Sequence, residues 1–249
     1  MRVAGLGVVS VCGRGRAFHE AALHATRYAD DSAGEPGPLI CRVREDTLSD
    51  RAVLGKMRRA DRFSKMAMLA AHDAWRDAGG KHPDAGGPVG IVVTTALGPH
   101  DTTFKFLDDI LDYGDMAVSP TRFTHSVHNA AASYISMTIG IRGPTTTVTK
   151  FRTPFAEGLA LADAWLQAER CRTVLVGYVE ELSPAMEYIA AALHARGEHA
   201  TLQDFSLSPH PATALSEGAV FMVMTSGEGT LGEWRDLRGL RTLFDRVGR

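Results

Sequence analysis

The side chains that could do chemistry in this sequence are three cysteines, a close pair of histidines, two serines near them, a glycine-rich opening and a basic cluster. Cys12, Cys41 and Cys171 are widely spaced and form no CxxC pair, so they supply no zinc framework and fit free thiols in a reducing compartment. His125 and His128 have a spacing that one metal can bridge, but no third ligand lies near them in sequence. Hydrogen-bonded or surface imidazoles are therefore expected, and neither a metal nor a cofactor. Gly5-Leu6-Gly7-Val8-Val9-Ser10 nearly matches a dinucleotide fingerprint, but its last position is not glycine and the strand before it is too short. No GxSxG elbow or P-loop is present, which weakens an acyltransferase or thioester hydrolase built on Ser126 or Ser133 with a histidine. Lys56, Arg58, Arg59, Arg62 and Lys65 could meet an acidic carrier protein, although Asp61 interrupts them and such runs are usually a solvated face.

The chain that must position these groups has 249 residues, 45% apolar and 22% charged, which is long enough for a sizeable core and suits one domain over residues 1–249. A formal charge of -2 argues against nucleic acid, which requires a strongly basic face. The longest apolar stretches fall short of the roughly 18 to 20 residues that span a bilayer, and MRVAGLGVV opens without a cationic segment and cleavage site. No membrane association or export is expected, and the cytoplasm is the expected location.

Strand and helix patterns alternate along the chain. Val3 to Val11 reads as a strand interrupted by two glycines, Pro38 to Val43 as a short extended piece, and the region between them as a helix with a polar loop. Ala67, Ala70, Ala71, Ala74 and Ala78 recur at helical spacing over Ser64 to Ala78, before Gly79-Gly80. Val89 to Thr95 is a buried strand, Phe104 to Leu111 a short helix, and Asn129 to Thr138 a small-residue helix opened by a capping residue. Thr145 to Thr149 is a β-branched strand, and Pro154 to Ala168 a helix with proline at its first position. On that helix Phe155, Leu159, Ala162 and Leu166 share one face, while Glu157 and Asp163 should face water or a partner. Thr173 to Val179, Pro184 to Ala195 and Ala219 to Thr225 follow as strand, helix and strand. The fold class is therefore α/β, layered, with a mixed sheet and helices on both faces.

Several of these segments together resemble the β-ketoacyl synthase branch of the thiolase superfamily. GLGVVS at Gly5 to Ser10 resembles the family's opening strand, and VGIVVTTALG at Val89 to Gly98 the strand and loop after its first long helix. From Ser119 to Leu182, SPTRFTHSVHNAAASYISMTIGIRGP and TTTVTKFRTPFAEGLALADAWLQAERCRTVLVGYVEEL follow the family's order of elements without gaps. SEGAVFMVM at Ser216 to Met224 is similar to its Gly-Glu-Gly-Ala strand. The resemblance covers most of this chain but about half of a whole synthase, which implies a thiolase-like fold, N-terminal half only.

Counting forward from Gly143-Pro144, the family's catalytic cysteine position is held by Arg152. A thiol at a helix N-terminus is activated by the dipole, whereas a guanidinium stays protonated and cannot attack a thioester. The family's two active-site histidines belong to the second half, which does not begin before this sequence ends. Cys171, expected after a helix C-terminus, is no substitute. The resemblance thus implies no catalytic residue and a chain-length-factor-like partner of a catalytic synthase, such as those of aryl polyene pathways, acting with an acyl carrier protein. It places Phe123, Ser126, Val127, Ala130 and Tyr134 toward the substrate tunnel, and Thr145, Thr147, Val148 and Thr149 on an edge strand that joins another subunit. Replacing Val148 by proline is expected to remove one donor from that edge. Lys56, Arg58, Arg59 and Arg62 are the candidate carrier-docking residues. Partners are a catalytic synthase in a heterodimer, or a second copy when the chain is expressed alone. An acyl- or carrier-binding module without a synthase partner is the remaining alternative.

Overall fold

Runs rich in β-branched residues become strands of one sheet, and the alanine-rich helical stripe becomes its cover. The computed structural model describes residues 1–15, 39–80, 87–114, 116, 118–195 and 214–226. In chain order its strands are β1 (Arg2–Ser10), β2 (Gly13–Arg14), β3 (Leu39–Cys41), β4 (Val89–Thr95), β5 (Thr145–Thr149), β6 (Thr173–Glu180), β7 (Ala214–Ser216) and β8 (Gly218–Thr225). The helices are α1 (Arg51–Leu54), α2 (Arg62–Asp77), α3 (His100–Tyr113), α4 (Pro120–Ser126), α5 (Ala130–Ile139), α6 (Pro154–Gln167) and α7 (Pro184–Ala195).

Six strands form the main sheet in the order β2-β1-β8-β6-β4-β5, and β3 pairs with β7 beside it. β4 runs parallel to β5 and β6, while β8 is antiparallel to both β1 and β6. Every residue of β4 is buried, as befits a strand covered on both faces. α2 covers one face. Asp61 caps it by accepting the Ser64 N–H at 2.9 Å, and Phe63, Met66, Ala67, Ala70 and Ala74 go into the core. The opening glycines belong to this packing. A Cβ on Gly5 would lie 2.2 Å from the Ala74 carbonyl oxygen, and one on Gly7 2.0 Å from that of Ala70. Both let β1 lie directly on α2, which accounts for them without a bound nucleotide.

α6 covers the other face through Leu159, Ala162, Trp165 and Leu166, with Glu157 exposed and Asp163 half-buried, so the sheet is clothed on both sides as anticipated. Other boundaries moved. The helix expected from Phe104 starts at His100, directly after Pro99, whose carbonyl accepts the Thr103 N–H at 3.0 Å. The small-residue helix starts at Ala130, and Asn129 does not cap it with its side chain; its carbonyl accepts the Ser133 N–H instead. α4 was not anticipated. The extended piece from Pro38 to Val43 contracts to β3, and the helix expected ahead of it lies outside the described residues. Among the described residues, no helix is long and apolar enough to cross a membrane.

Candidate functional site

Parallel strands β4, β5 and β6 end on the same side of the sheet, and the turn from β5 into α6 lies there. Lys150 to Thr153 form that turn. Thr153 is in the left-handed region at φ 54°, ψ 39°, a strain of about 1 to 3 kcal/mol for a side chain other than glycine, and its hydroxyl donates to the Arg152 carbonyl at 2.8 Å. Lys150 pairs with Glu157 in the first turn of α6. Arg152 is exposed at the position where a nucleophile would feel the helix dipole. A guanidinium there is a permanent cation with no lone pair to offer a carbonyl carbon, so the turn keeps a nucleophile's setting and lacks the nucleophile.

The other thiol and hydroxyl candidates lie elsewhere. Cys171 is buried beside Trp165 and Gly90, and burial is the main cause that pushes its thiol up from the ordinary range, rather than the helix end. The Ser126 hydroxyl donates to the Phe123 carbonyl at 2.9 Å and that of Ser133 to the Asn129 carbonyl at 3.1 Å, back-bonds that leave both without a base. Cys12, Cys41 and Cys171 are free thiols, and the described residues contain no group of three side chains fit to hold a metal. His125 is buried against Tyr134, while His128 is exposed with its ring against Gly98.

β5 is the outer strand of the sheet. The Ile91 N–H donates to the Pro144 carbonyl and the Lys150 N–H to that of Thr95. By the alternation of a strand, Thr146 and Val148 turn their main-chain groups inward to β4, and Thr145, Thr147 and Thr149 turn theirs outward. The outward donors therefore belong to the threonines. Val148 faces inward through its backbone and packs its side chain toward the α6 core, so proline there would break β4–β5 pairing rather than the free edge.

Exposed apolar side chains lie on α3 to α5 and on the turn after β5. Phe123 is 56% exposed, Val127 40%, Met137 70% and Phe151 72%, and α3 adds Phe104, Leu107 and Leu111. Of the residues expected at a tunnel, Phe123, Ser126 and Val127 come together on and just after α4, Tyr134 is half-buried on α5, and Ala130 is buried. Sequence reasoning missed Phe104, Leu107, Leu111, Met137 and Phe151. The first three recur at helical spacing, which signals a single apolar stripe but not whether the chain itself covers it.

Three acids, Glu181 and Glu217 buried and Glu180 half-buried, are held by the surrounding backbone. Glu217 is fully buried and accepts from the Val43 and Leu182 amides at 2.8 and 3.1 Å and from Arg62. Glu180 accepts from the Ala96 and Leu97 amides and the Thr95 and Tyr178 hydroxyls. Glu181 accepts the Asp101 N–H at 3.0 Å, and burial, followed by Asp61, pushes its carboxyl up to about 8. Arg62 corrects the docking set. Its guanidinium is committed to Glu217, Glu45 and the Val43 carbonyl, while Arg58 and Arg59 are exposed.

The geometry has counterparts in known proteins. The family model for the N-terminal domain of β-ketoacyl synthases matches residues 42–216. Nodulation protein E of Rhizobium meliloti (strain 1021) is 29% identical over 171 residues, 68% of this chain and 42% of that protein. Another Nodulation protein E of Rhizobium meliloti is 30% identical over the same shares. The chain thus spans less than half the length of these curated relatives. The ishigamide ketosynthase/chain length factor superposes with a TM-score of 0.69 at 26% identity, covering 92% of this chain and 63% of that one. A ketosynthase (ApeO) in complex with its chain length factor (ApeC) from Xenorhabdus doucetiae gives 0.58 at 17%, covering 91% and 79%. A β-ketoacyl synthase from Burkholderia phymatum STM815 gives 0.70 at 21%, covering 90% and 58%. These last two speak for the thiolase-like fold alone. With the family model covering most of its length and that fold beneath it, the chain belongs to the β-ketoacyl synthase family.

Proposed function

We propose that this chain is a non-catalytic, chain-length-factor-like subunit that pairs with a catalytic β-ketoacyl-acyl carrier protein synthase and shapes the tunnel into which the acyl chain grows. Arg152 carries the reading. It stands between β5 and the N-terminus of α6, where the family places its cysteine, and nothing beside it among the described residues can form an acyl-enzyme. A bare β-strand edge, together with exposed apolar side chains, supports a partner on that side. The partner's cysteine would take up acyl and extend it from malonyl thioesters on a carrier protein, giving a fatty, polyketide-like or aryl polyene chain. Phe123, Val127 and Tyr134 would limit the length of that chain, with carrier docking on Lys56, Arg58 and Arg59.

A stand-alone acyltransferase through Ser126 or Ser133 finds no support, since both hydroxyls are spent on their own helices. The test is reconstitution with the synthase from the same host and radiolabelled acyl carrier protein. Condensation is expected only with both subunits present, and label on the synthase alone. Condensation at full rate without this chain would end the proposal.

A further inference from the structure

α3 and α4 form an antiparallel pair that carries much of the exposed apolar surface. Phe106 and Phe123 meet with ring centroids 5.6 Å apart, the Thr103 hydroxyl donates to the Ser126 carbonyl at 3.1 Å, and Arg122 pairs with Asp109. These contacts hold the two helices to each other. On the rest of the molecule, the start of α3 is held by the Asp101 N–H donating to Glu181 at 3.0 Å, and beyond that His100 is the one buried residue of α3 and His125 the one buried residue of α4. His100 bonds locally, its Nδ1 lying 3.0 Å from the Gly98 carbonyl oxygen, and its Nε2 is buried without a partner. His125 reaches further. Its Nε2 lies 2.5 Å from the Tyr134 hydroxyl on α5, the rings stand 5.7 Å apart, and the Asp61 carboxylate at the head of α2 lies within electrostatic range of both.

We propose that His125 is the positioning residue of this helical pair: its hydrogen bond to Tyr134 seats α4, and α3 with it, on α5 and so sets where Phe123 and Val127 stand on the partner-facing surface. A short helix with one buried side chain has no apolar face to hold it, so a directional bond must do so. The consequence for product length rests on the proposed function, whereas the seating does not.

Hydrogen exchange on the full chain tests the seating directly. His125→Leu keeps volume and removes the bond, His125→Gln keeps an amide that can bond the hydroxyl, and Tyr134→Phe removes only the hydroxyl. His125→Leu and Tyr134→Phe should each speed exchange over residues 100–126 by about tenfold, the worth of one such bond, with α2 and α6 unchanged. His125→Gln should stay within about threefold of wild type. Should His125→Leu fail to fold, the comparison of Tyr134→Phe with His125→Gln carries the test. Wild-type exchange in Tyr134→Phe, or equal acceleration in all three variants, would overturn the proposal. If exchange rises as expected while the reconstituted pair makes products of unchanged length, the seating stands and the chain-length reading falls.

Discussion

The two edges of the six-stranded sheet are built in opposite ways. On the β1 side the chain satisfies its own edge: the Leu6 N–H donates to Asp77 at 2.9 Å, the Gly15 N–H to the Val8 carbonyl at 2.9 Å, and β2 pairs with Val9 and Ser10. Arg14 then locks that corner, with two bonds to Asp73 at 2.6 and 2.7 Å and one to Asp50 at 2.6 Å. On the β5 side no described strand meets the outward main-chain groups of Thr145, Thr147 and Thr149. The first edge is finished within the chain and the second is an unpaired template. One edge thus serves the stability of the fold, and the other is the one the proposed function assigns to association.

That contrast can be broken most sharply at β5. Thr147→Pro removes an outward donor and should weaken assembly with the synthase by about 100-fold, close to 3 kcal/mol, with little loss of the chain's own stability. Val148→Pro should do the reverse, unfolding the β4–β5 pair. Calorimetric titration and thermal melts of both variants decide it; tight binding by Thr147→Pro would show that the edge is not used.

The next effect is one of pH, and it belongs to the interior. Glu181 binds its proton more tightly folded than unfolded, its carboxyl standing at about 8 against 4.5. Its contribution to stability is therefore fully present below about pH 4.5 and lost as pH rises through 8, a fall on the order of 5 kcal/mol. Glu181→Gln should flatten denaturant midpoints between pH 5 and 8. At the finished edge, Arg14→Ala strips two carboxylates of their cation and should cost about 2 kcal/mol of stability without touching assembly. Asp73, held down to about 2 although burial opposes its partners His72 and Arg14, adds stability above its unfolded value that fades as pH falls through 2. The smallest effect is on product length. Phe123→Ala or Tyr134→Ala should lengthen carrier-bound products, and Ala130→Leu shorten them, through overpacking of about 1 to 3 kcal/mol that mass spectra would register.

How much of this was legible depended on how local its cause was. β4, β5 and α7 have the bounds expected from their residues, since each is enclosed by its own glycines or prolines. Arg152 was found by counting from Gly143-Pro144, and the turn between β5 and α6 is where counting put it. What stayed hidden was set by distant partners. α4 is seven residues long, opens on a proline and is anchored by His125 against Tyr134, a contact no periodicity announces. Arg62 looked like one cation among five until Glu217, at a sequence separation of 155, drew it inward. The outward phase of β5 is decided by its register against β4, so the sequence pattern named the edge strand but not the residues whose donors are exposed.

The central claim is that the partner, and not this chain, carries the acyl group. Intact-mass spectrometry of the reconstituted pair after loading with acyl carrier protein tests it most directly. The account predicts an acyl mass on the synthase subunit and none on this chain, in the wild type and equally in Arg152→Ala. A stable acyl thioester or ester on this chain would contradict it.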